Sequence, residues 1–278
     1  MTYREALTAG SRLLEKYQIP DAKTDAWLLF AAACGIDRNF YYMHMEEAVA
    51  DQAQEVYENF LKQRIGRMPL QYITGEQEFM GLPFRVNPHV LIPRQDTEIL
   101  VEEALKRIRP DMQVLDMCTG SGCIIVSICK SCRDIRAVAC DISVEALAVA
   151  AENAKTNGVQ VQLVQGDLFE QIQGEFDVIV SNPPYIPTGE LSGLMQEVRD
   201  FEPQLALDGD ADGLLFYRRM IKDGKRYLKP GGFLLFEIGC DQGQAVSDLM
   251  RQAGYQDIEV SRDLAGLDRV VTGVLPQQ

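Results

Sequence analysis

Apolar residues recur along this chain at two different periods, and the switch between them sets its organisation. Over residues 1–75 the period is helical. Tyr3, Leu7, Leu13, Leu14 and Tyr17 share a helical spacing, and Pro20-Asp21 ends that helix and caps the next. Asp25 to Ala33 forms an alanine-rich apolar helix stopped by Gly35. Glu46 to Arg67 reads as one long helix with Val49, Ala53, Val56, Phe60 and Leu61 as its buried stripe, terminated by Gly66 and Pro69. Arg64 and Arg67 read as a solvated helix end or as partner contacts. A small bundle of this kind is either a partner-binding, substrate-positioning module or a stabilising appendage.

Residues 76–93 change period. Their apolar positions alternate, with Gly81-Leu82-Pro83 at a turn, which predicts a β-hairpin linking two domains. Arg94 to Glu98 then opens a helix running to about Ile108, with Asp96 or Thr97 as its cap. From residue 113 the pattern is strand, loop, helix, repeated. Strands are expected over 113–116, 136–140, 161–164, 176–181, 233–237, 256–261 and 268–275, with Lys229 to Gly232 as a turn introducing the fifth. That alternation predicts a doubly wound α/β sheet over residues 94–278.

Two loops of this sheet carry candidate chemistry. The run Phe176 to Ser181 ends at Asn182-Pro183-Pro184-Tyr185. Consecutive prolines cannot donate ladder hydrogen bonds, so the strand stops and a stiff loop leaves its carboxyl edge. The loop presents an amide, proline-flanked carbonyls and a ring where open sheets bind ligands. Upstream, Cys118-Thr119-Gly120-Ser121-Gly122 lies between a strand and a helix, where Gly120 and Gly122 allow close backbone approach. Asp141, ending the next strand, suits the two hydroxyls of a ribose. Asp116 suits an ammonium, directly or through loop amides and water, and Asp167-Leu168 suits an adenine edge and face. A dinucleotide site needs a third glycine, and Ile125 stands there instead, which disfavours a nicotinamide dehydrogenase.

Composition sets outer limits. Apolar residues make up 46% and charged residues 24% of the 278, ordinary for a globular protein of one large or two modest domains. No apolar run approaches the ~20 residues of a membrane helix, and the first residues begin an amphipathic pattern, not a signal peptide. Seven cysteines, an odd number, suit a reducing cytoplasm. Cys129 and Cys132 have the spacing of a metal or redox pair but fall within an expected helix, and His44 and His89 are the sole histidines, so no metal is expected. Of the formal charge of −14, residues 1–75 carry −2 and the remainder −12, a weak argument against duplex DNA as substrate.

Residues 91–98, 114–122, 180–185 and 201–209, with Arg67 to Gly75 at the domain junction, resemble the motifs of the PrmC/HemK family. The likeness covers nearly the whole chain. It implies a class I methyltransferase fold, a seven-stranded doubly wound sheet, behind a helical-bundle domain (1–75) that binds the substrate protein and a linking hairpin (76–93). It also implies a cytoplasmic, monomeric enzyme in the family's mould: S-adenosyl-L-methionine as cofactor, and the glutamine amide nitrogen of the Gly-Gly-Gln motif in class 1 peptide chain release factors as methyl acceptor. Cofactor contacts fall on Cys118, Thr119, Gly120, Ser121, Gly122, Asp141, Asp167, Leu168 and Asn182. Substrate contacts fall on Asn182, Pro183, Pro184 and Tyr185, with Asn182, Pro183 and Tyr185 in catalysis. Cys118 replaces the family's usual glycine and is expected at negative φ; Gln95 replaces a common proline. The rival readings are a DNA adenine-N6 or cytosine-N4 methyltransferase, which shares the Asn-Pro-Pro-Tyr loop, and a non-catalytic S-adenosylmethionine-binding partner protein.

Overall fold

The computed structural model describes residues 1–277. Its helices are α1 (Tyr3–Lys16), α2 (Ala22–Cys34), α3 (Arg38–His44), α4 (Asp51–Ile65), α5 (Leu70–Thr74), α6 (Glu98–Arg107), α7 (Cys123–Ser131), α8 (Val144–Thr156), α9 (Gln196–Phe201), α10 (Leu215–Gly224) and α11 (Gly243–Gln252). Its strands are β1 (Glu76–Phe79), β2 (Leu82–Arg85), β3 (Gln113–Met117), β4 (Arg136–Asp141), β5 (Gln162–Gln165), β6 (Phe176–Ser181), β7 (Leu228–Glu237), β8 (Gln256–Arg262) and β9 (Asp268–Val274). Two compact units result. One joins residues 1–75 to the segment Met195–Phe201, and the other holds the remaining chain from Glu76 onward.

In the helical unit, α1 starts at a reciprocal cap. The Glu5 amide donates to the Thr2 hydroxyl, and the Thr2 amide donates to the Glu5 carboxylate. The core gathers Leu14, Ala26, Leu29, Phe30 and Leu61 around the buried ring of Tyr57. Gly10 is required there, because a Cβ would lie 1.9 Å from the Tyr57 hydroxyl. The long helix expected from Glu46 begins instead at Asp51. The open N-terminus of α1 claims the preceding carbonyls: Tyr3 N donates to Glu47 O and Arg4 N to Met45 O, which holds residues 45–50 out of helix. Arg64 is not a solvated helix end either. It is 7% exposed, donates from Nε to Asp25 at 2.7 Å, and with Arg67 reaches Glu197 of α9.

The second unit is built on a sheet of order β5-β4-β3-β6-β7-β9-β8, parallel except for β9, which runs antiparallel to both neighbours. One face packs Leu100, Val101, Ile124 and Ile128 of α6 and α7; the other packs Tyr217, Met220 and Val246 of α10 and α11. From β3 the chain steps outward to β4 and β5, then returns to the opposite side of β3 as β6. The strand order reverses at that pair, and a crevice opens at the carboxyl ends. The expected turn at Lys229 to Gly232 is absorbed into β7, with a register shift against β6 between Phe176 and Val178.

The hairpin β1–β2 belongs to this unit and turns at Met80-Gly81, both at positive φ, so Pro83 sits within β2 and not in the turn. Its strands end at Arg85, where fully buried Asn153 of α8 grips the backbone. Arg85 N donates to Asn153 Oδ1 at 2.7 Å, and Asn153 Nδ2 donates to Arg85 O at 3.0 Å and Ser121 O at 2.8 Å.

Candidate active site

A cleft of about 360 Å³ lies at the carboxyl ends of β3, β4 and β6. It is lined by Cys118, Thr119, Gly120, Asp141, Asp167, Leu168, Asn182 and Pro184, which the sequence had singled out from four separate stretches. Ser121, Gly122, Pro183 and Tyr185 are outside that lining.

The loop after β3 turns through residues at positive φ: Cys118 at 60°, Gly120 at 54° and Gly122 at 78°. The expectation of negative φ at Cys118 is therefore wrong. The chain accepts a side chain in the left-handed region at a cost of roughly 1–2 kcal/mol and keeps the turn that glycine would give. Neighbouring strand ends hold the loop in place. Thr119 N donates to Cys140 O at 3.0 Å, and Gly120 N donates to Asp141 Oδ2 at 2.8 Å. Gly122 stands where a Cβ would lie 3.1 Å from Ala150 Cβ, so it sets the approach of α7 to α8. Ser121 contributes its carbonyl to Asn153.

Asp116 is wholly buried beneath this loop and does not reach the cleft. Its Oδ2 accepts from the Thr119 hydroxyl at 2.6 Å while Oδ1 has no partner among the described residues. Burial pushes its pKa to about 7 against the opposing pull of the Thr119 hydroxyl and the Ile125 amide. Asp116 therefore presents no carboxylate oxygen to the cleft. Asp141 does face the cleft. Its oxygens each take one backbone donor, from Gly120 and from Ser143 at 3.0 Å, and each retains acceptor capacity for a diol. Desolvation raises its pKa, opposed by those amides. Asp167 is held by Arg219 at 2.8 Å, and Leu168 is buried at φ 51° beside it.

The Asn182 loop is braced from behind. Ser181 Oγ donates to Met117 O at 2.6 Å, tying β6 to β3. Gln242 Nε2 donates to Tyr185 O at 2.9 Å, and a Cβ on Gly213 would lie 2.3 Å from the same oxygen. Burial drives the Tyr185 phenol upward in pKa, so its hydroxyl stays neutral. Asn182 Nδ2 donates to the Thr97 hydroxyl at 3.3 Å, whereas its oxygen accepts no bond from the described residues. Thr97 was expected as a helix cap, as was Asp96, but no side chain caps α6; the Thr97 hydroxyl serves Asn182 instead. Arg94 bonds to the buried carboxylate of Glu202, which also accepts from Ile92 N. The cleft is also lined by Leu91, Pro93, Leu205, Ala206 and Phe216, which local sequence signals did not mark as site residues.

Sheet order and cleft together mark a doubly wound ligand-binding domain, and comparison with known proteins narrows it. Residues 95–198 match the methyltransferase small domain, and residues 5–75 match the PrmC N-terminal domain. A crystal structure of a methyltransferase from Pyrococcus furiosus superposes with a TM-score of 0.54 over 70% of this chain and 90% of that one, at 18% identity, which speaks for the fold alone. The molecule is a class I methyltransferase. Across 98% of its length it is 42% identical to the release factor glutamine methyltransferase of Geobacter sulfurreducens, covering 96% of that protein. With the same enzyme of Moorella thermoacetica it shares 44% identity, over 97% of both chains. The chain belongs to the release factor glutamine methyltransferase family.

Proposed function

We propose that this chain methylates the side-chain amide nitrogen of a glutamine in a peptide chain release factor, with S-adenosyl-L-methionine as donor. One observation carries the reading. The Asn182 oxygen, which accepts no bond from the described residues, shares a single cleft with the glycine turn at Cys118–Gly120 and with Asp141. The cleft suits the donor chemically. Asp141 offers acceptors to a ribose, buried Leu168 and half-exposed Ile142 offer apolar surface to a flat base, and Asp167 stands at its edge. The lining carboxylates Asp141 and Asp167 favour a cationic ligand, and the lining arginines, Arg94 and Arg219, are already paired. When bound, the donor supplies an electrophilic methyl on a sulfonium.

The residues of this chain supply position and dipoles. An amide nitrogen is a weak nucleophile because its lone pair is delocalised, but its two N–H groups can be held. Asn182 Oδ1 and the Pro183 carbonyl, which accepts no bond among the described residues, take one each and aim the nitrogen into the cleft. Both oxygens stabilise positive charge developing on that nitrogen. Tyr185, stiffened from behind by Gln242, covers the flat amide and excludes water. No strong base is needed, since the alkylated nitrogen sheds its proton readily. The helical unit is assigned to contact with the protein substrate, for which exposed Tyr42 and Met43 provide apolar surface.

Asn182→Ala is expected to bind S-adenosylmethionine within about threefold of wild type by calorimetry and to lose at least about 100-fold in single-turnover methylation of a release factor. Full activity in that variant would end the proposal. Methylation of duplex DNA in place of the release factor would favour the base-methylating alternative.

A further inference from the structure

We propose that Glu237, acting through Thr97, is a positioning residue that fixes which end of the Asn182 carboxamide faces the cleft. The inference rests on the reading above, that the Asn182 oxygen holds the incoming amide. Ser181 of β6 pairs with Phe236 of β7, so the next residue on each strand, Asn182 and Glu237, leaves the sheet at the same level. Thr97 meets them from the turn before α6. Both Thr97 and Glu237 are 2% exposed, and Glu237 Oε2 has no partner among the described residues. The Thr97 hydroxyl and the Asn182 amide lie close enough to the carboxylate for both to favour its ionised form.

A hydroxyl has one proton to give, and an ionised carboxylate can only accept. Facing ionised Glu237, Thr97 donates to it and is left as an acceptor toward Asn182. Asn182 must then present its NH2 to Thr97, as observed at 3.3 Å, and its oxygen is turned to the substrate side. A neutral Glu237 carries its own proton and can donate to Thr97, whose proton is then available to the Asn182 oxygen. In the flipped amide an NH2 confronts the NH2 of the substrate, donor against donor.

The groups around Glu237 allow this exchange near neutrality. Burial pushes its pKa to about 7, opposed by the nearby Thr97 hydroxyl, by Arg269 of β9 and by the Asn182 amide, and reinforced by Asp96 beside α6. Tyr185, Tyr217 and Cys123, the other titratable neighbours, are all held upward by burial and stay neutral there.

The test measures kcat against pH with a release factor as substrate. Wild type is expected to lose rate as pH falls through about 7. Glu237→Gln, which keeps the shape but leaves the hydroxyl direction open, is expected to lose roughly 10- to 100-fold in kcat at pH 8, to bind S-adenosylmethionine within twofold, and to lose the acidic limb. Thr97→Val should reproduce this, and Thr97→Ser should restore most of what the valine loses. Wild-type kcat in Glu237→Gln, or a reduced kcat with the acidic limb intact, overturns the inference; so does Thr97→Ser behaving like Thr97→Val. Asn182→Ala separates the two levels. If it stays active, the underlying reading fails; if it is inactive while Glu237→Gln is unaffected, only the positioning role fails.

Discussion

Asn153 is the side chain on which the cofactor loop and the hairpin both depend, and truncating it should show how much. It is fully buried on α8, and every polar atom it has is used: Oδ1 accepts from Arg85 N at 2.7 Å, and Nδ2 donates to Arg85 O at 3.0 Å and Ser121 O at 2.8 Å, the latter in the cofactor turn. Asn153→Ala removes three bonds. The two Arg85 groups are partly buried and can recruit water, so each costs about 1 kcal/mol, while the Ser121 carbonyl is buried and costs nearer 2. The sum is roughly 4 kcal/mol, or about 8–15 °C in Tm for a unit of this size. Asn153→Asp keeps the acceptor but turns an oxygen toward two carbonyls, so it should be no more stable than the alanine variant. Urea denaturation of the full chain by far-UV circular dichroism gives the stability, and calorimetry with S-adenosylmethionine reports the turn, whose affinity should fall roughly tenfold, about 1.4 kcal/mol. A loss below about 1 kcal/mol in Asn153→Ala, or an aspartate variant as stable as wild type, would refute the argument.

Other expectations follow from the same coordinates. Asp116 titrates near 7 in the fold and near 4 unfolded, so between those values the native chain holds a proton the unfolded chain has released. The associated stability is present below that window and is lost as pH rises through it; from about pH 5 to about pH 8, wild type should fall by roughly 2–3 kcal/mol relative to Asp116→Asn in urea titrations, and parallel curves would contradict the burial argument. Gly122→Ala places a Cβ 3.1 Å from Ala150 at φ 78°, whereas Gly158→Ala, at φ 66° with open space around it, isolates the backbone term. The first should cost at least 2 kcal/mol and the second about 1; equal costs would show that the contact with α8 is immaterial. Asp25→Ala strands the buried Arg64 guanidinium and should cost about 3 kcal/mol, with much of it recovered in the Asp25→Leu/Arg64→Met double variant; a loss under 1 kcal/mol in the single variant would mean Glu197 alone suffices.

How far the sequence discloses this molecule depends on whether each signal is local. Strand period, the proline stop after Ser181 and the glycine turn at 120–122 are written within a few residues, and the doubly wound sheet follows from them. Non-local partners decide the misreadings. Residues 46–50 have helical spacing, but the free amides at the start of α1, about forty positions away in sequence, take the carbonyls of Met45 and Glu47. Thr97 has every local mark of a cap, yet its hydroxyl goes to Asn182, eighty-five residues on. Nothing near position 153 announces that its asparagine braces two loops. Cys118 shows the converse: local preference argued for negative φ, and the amide bonds of Thr119 and Gly120 to β4 override it.

Glu237 shows why these errors cluster around the cleft. In an apolar strand end, one carboxylate looks like a tolerated exception, and its role is invisible until β6 and β7 are laid side by side and Asn182 emerges at its level. Burying an acid there costs stability, and Oε2 finds no partner among the described residues to offset it. A fold chosen only for stability would place an amide or a leucine at that position. The penalty is intelligible if the charge serves the orientation of the neighbouring carboxamide. Glu237→Leu should therefore be more stable than wild type at about pH 8, where the carboxylate is ionised, while losing at least as much kcat as Glu237→Gln. A leucine variant that is both less stable and fully active would reverse the argument.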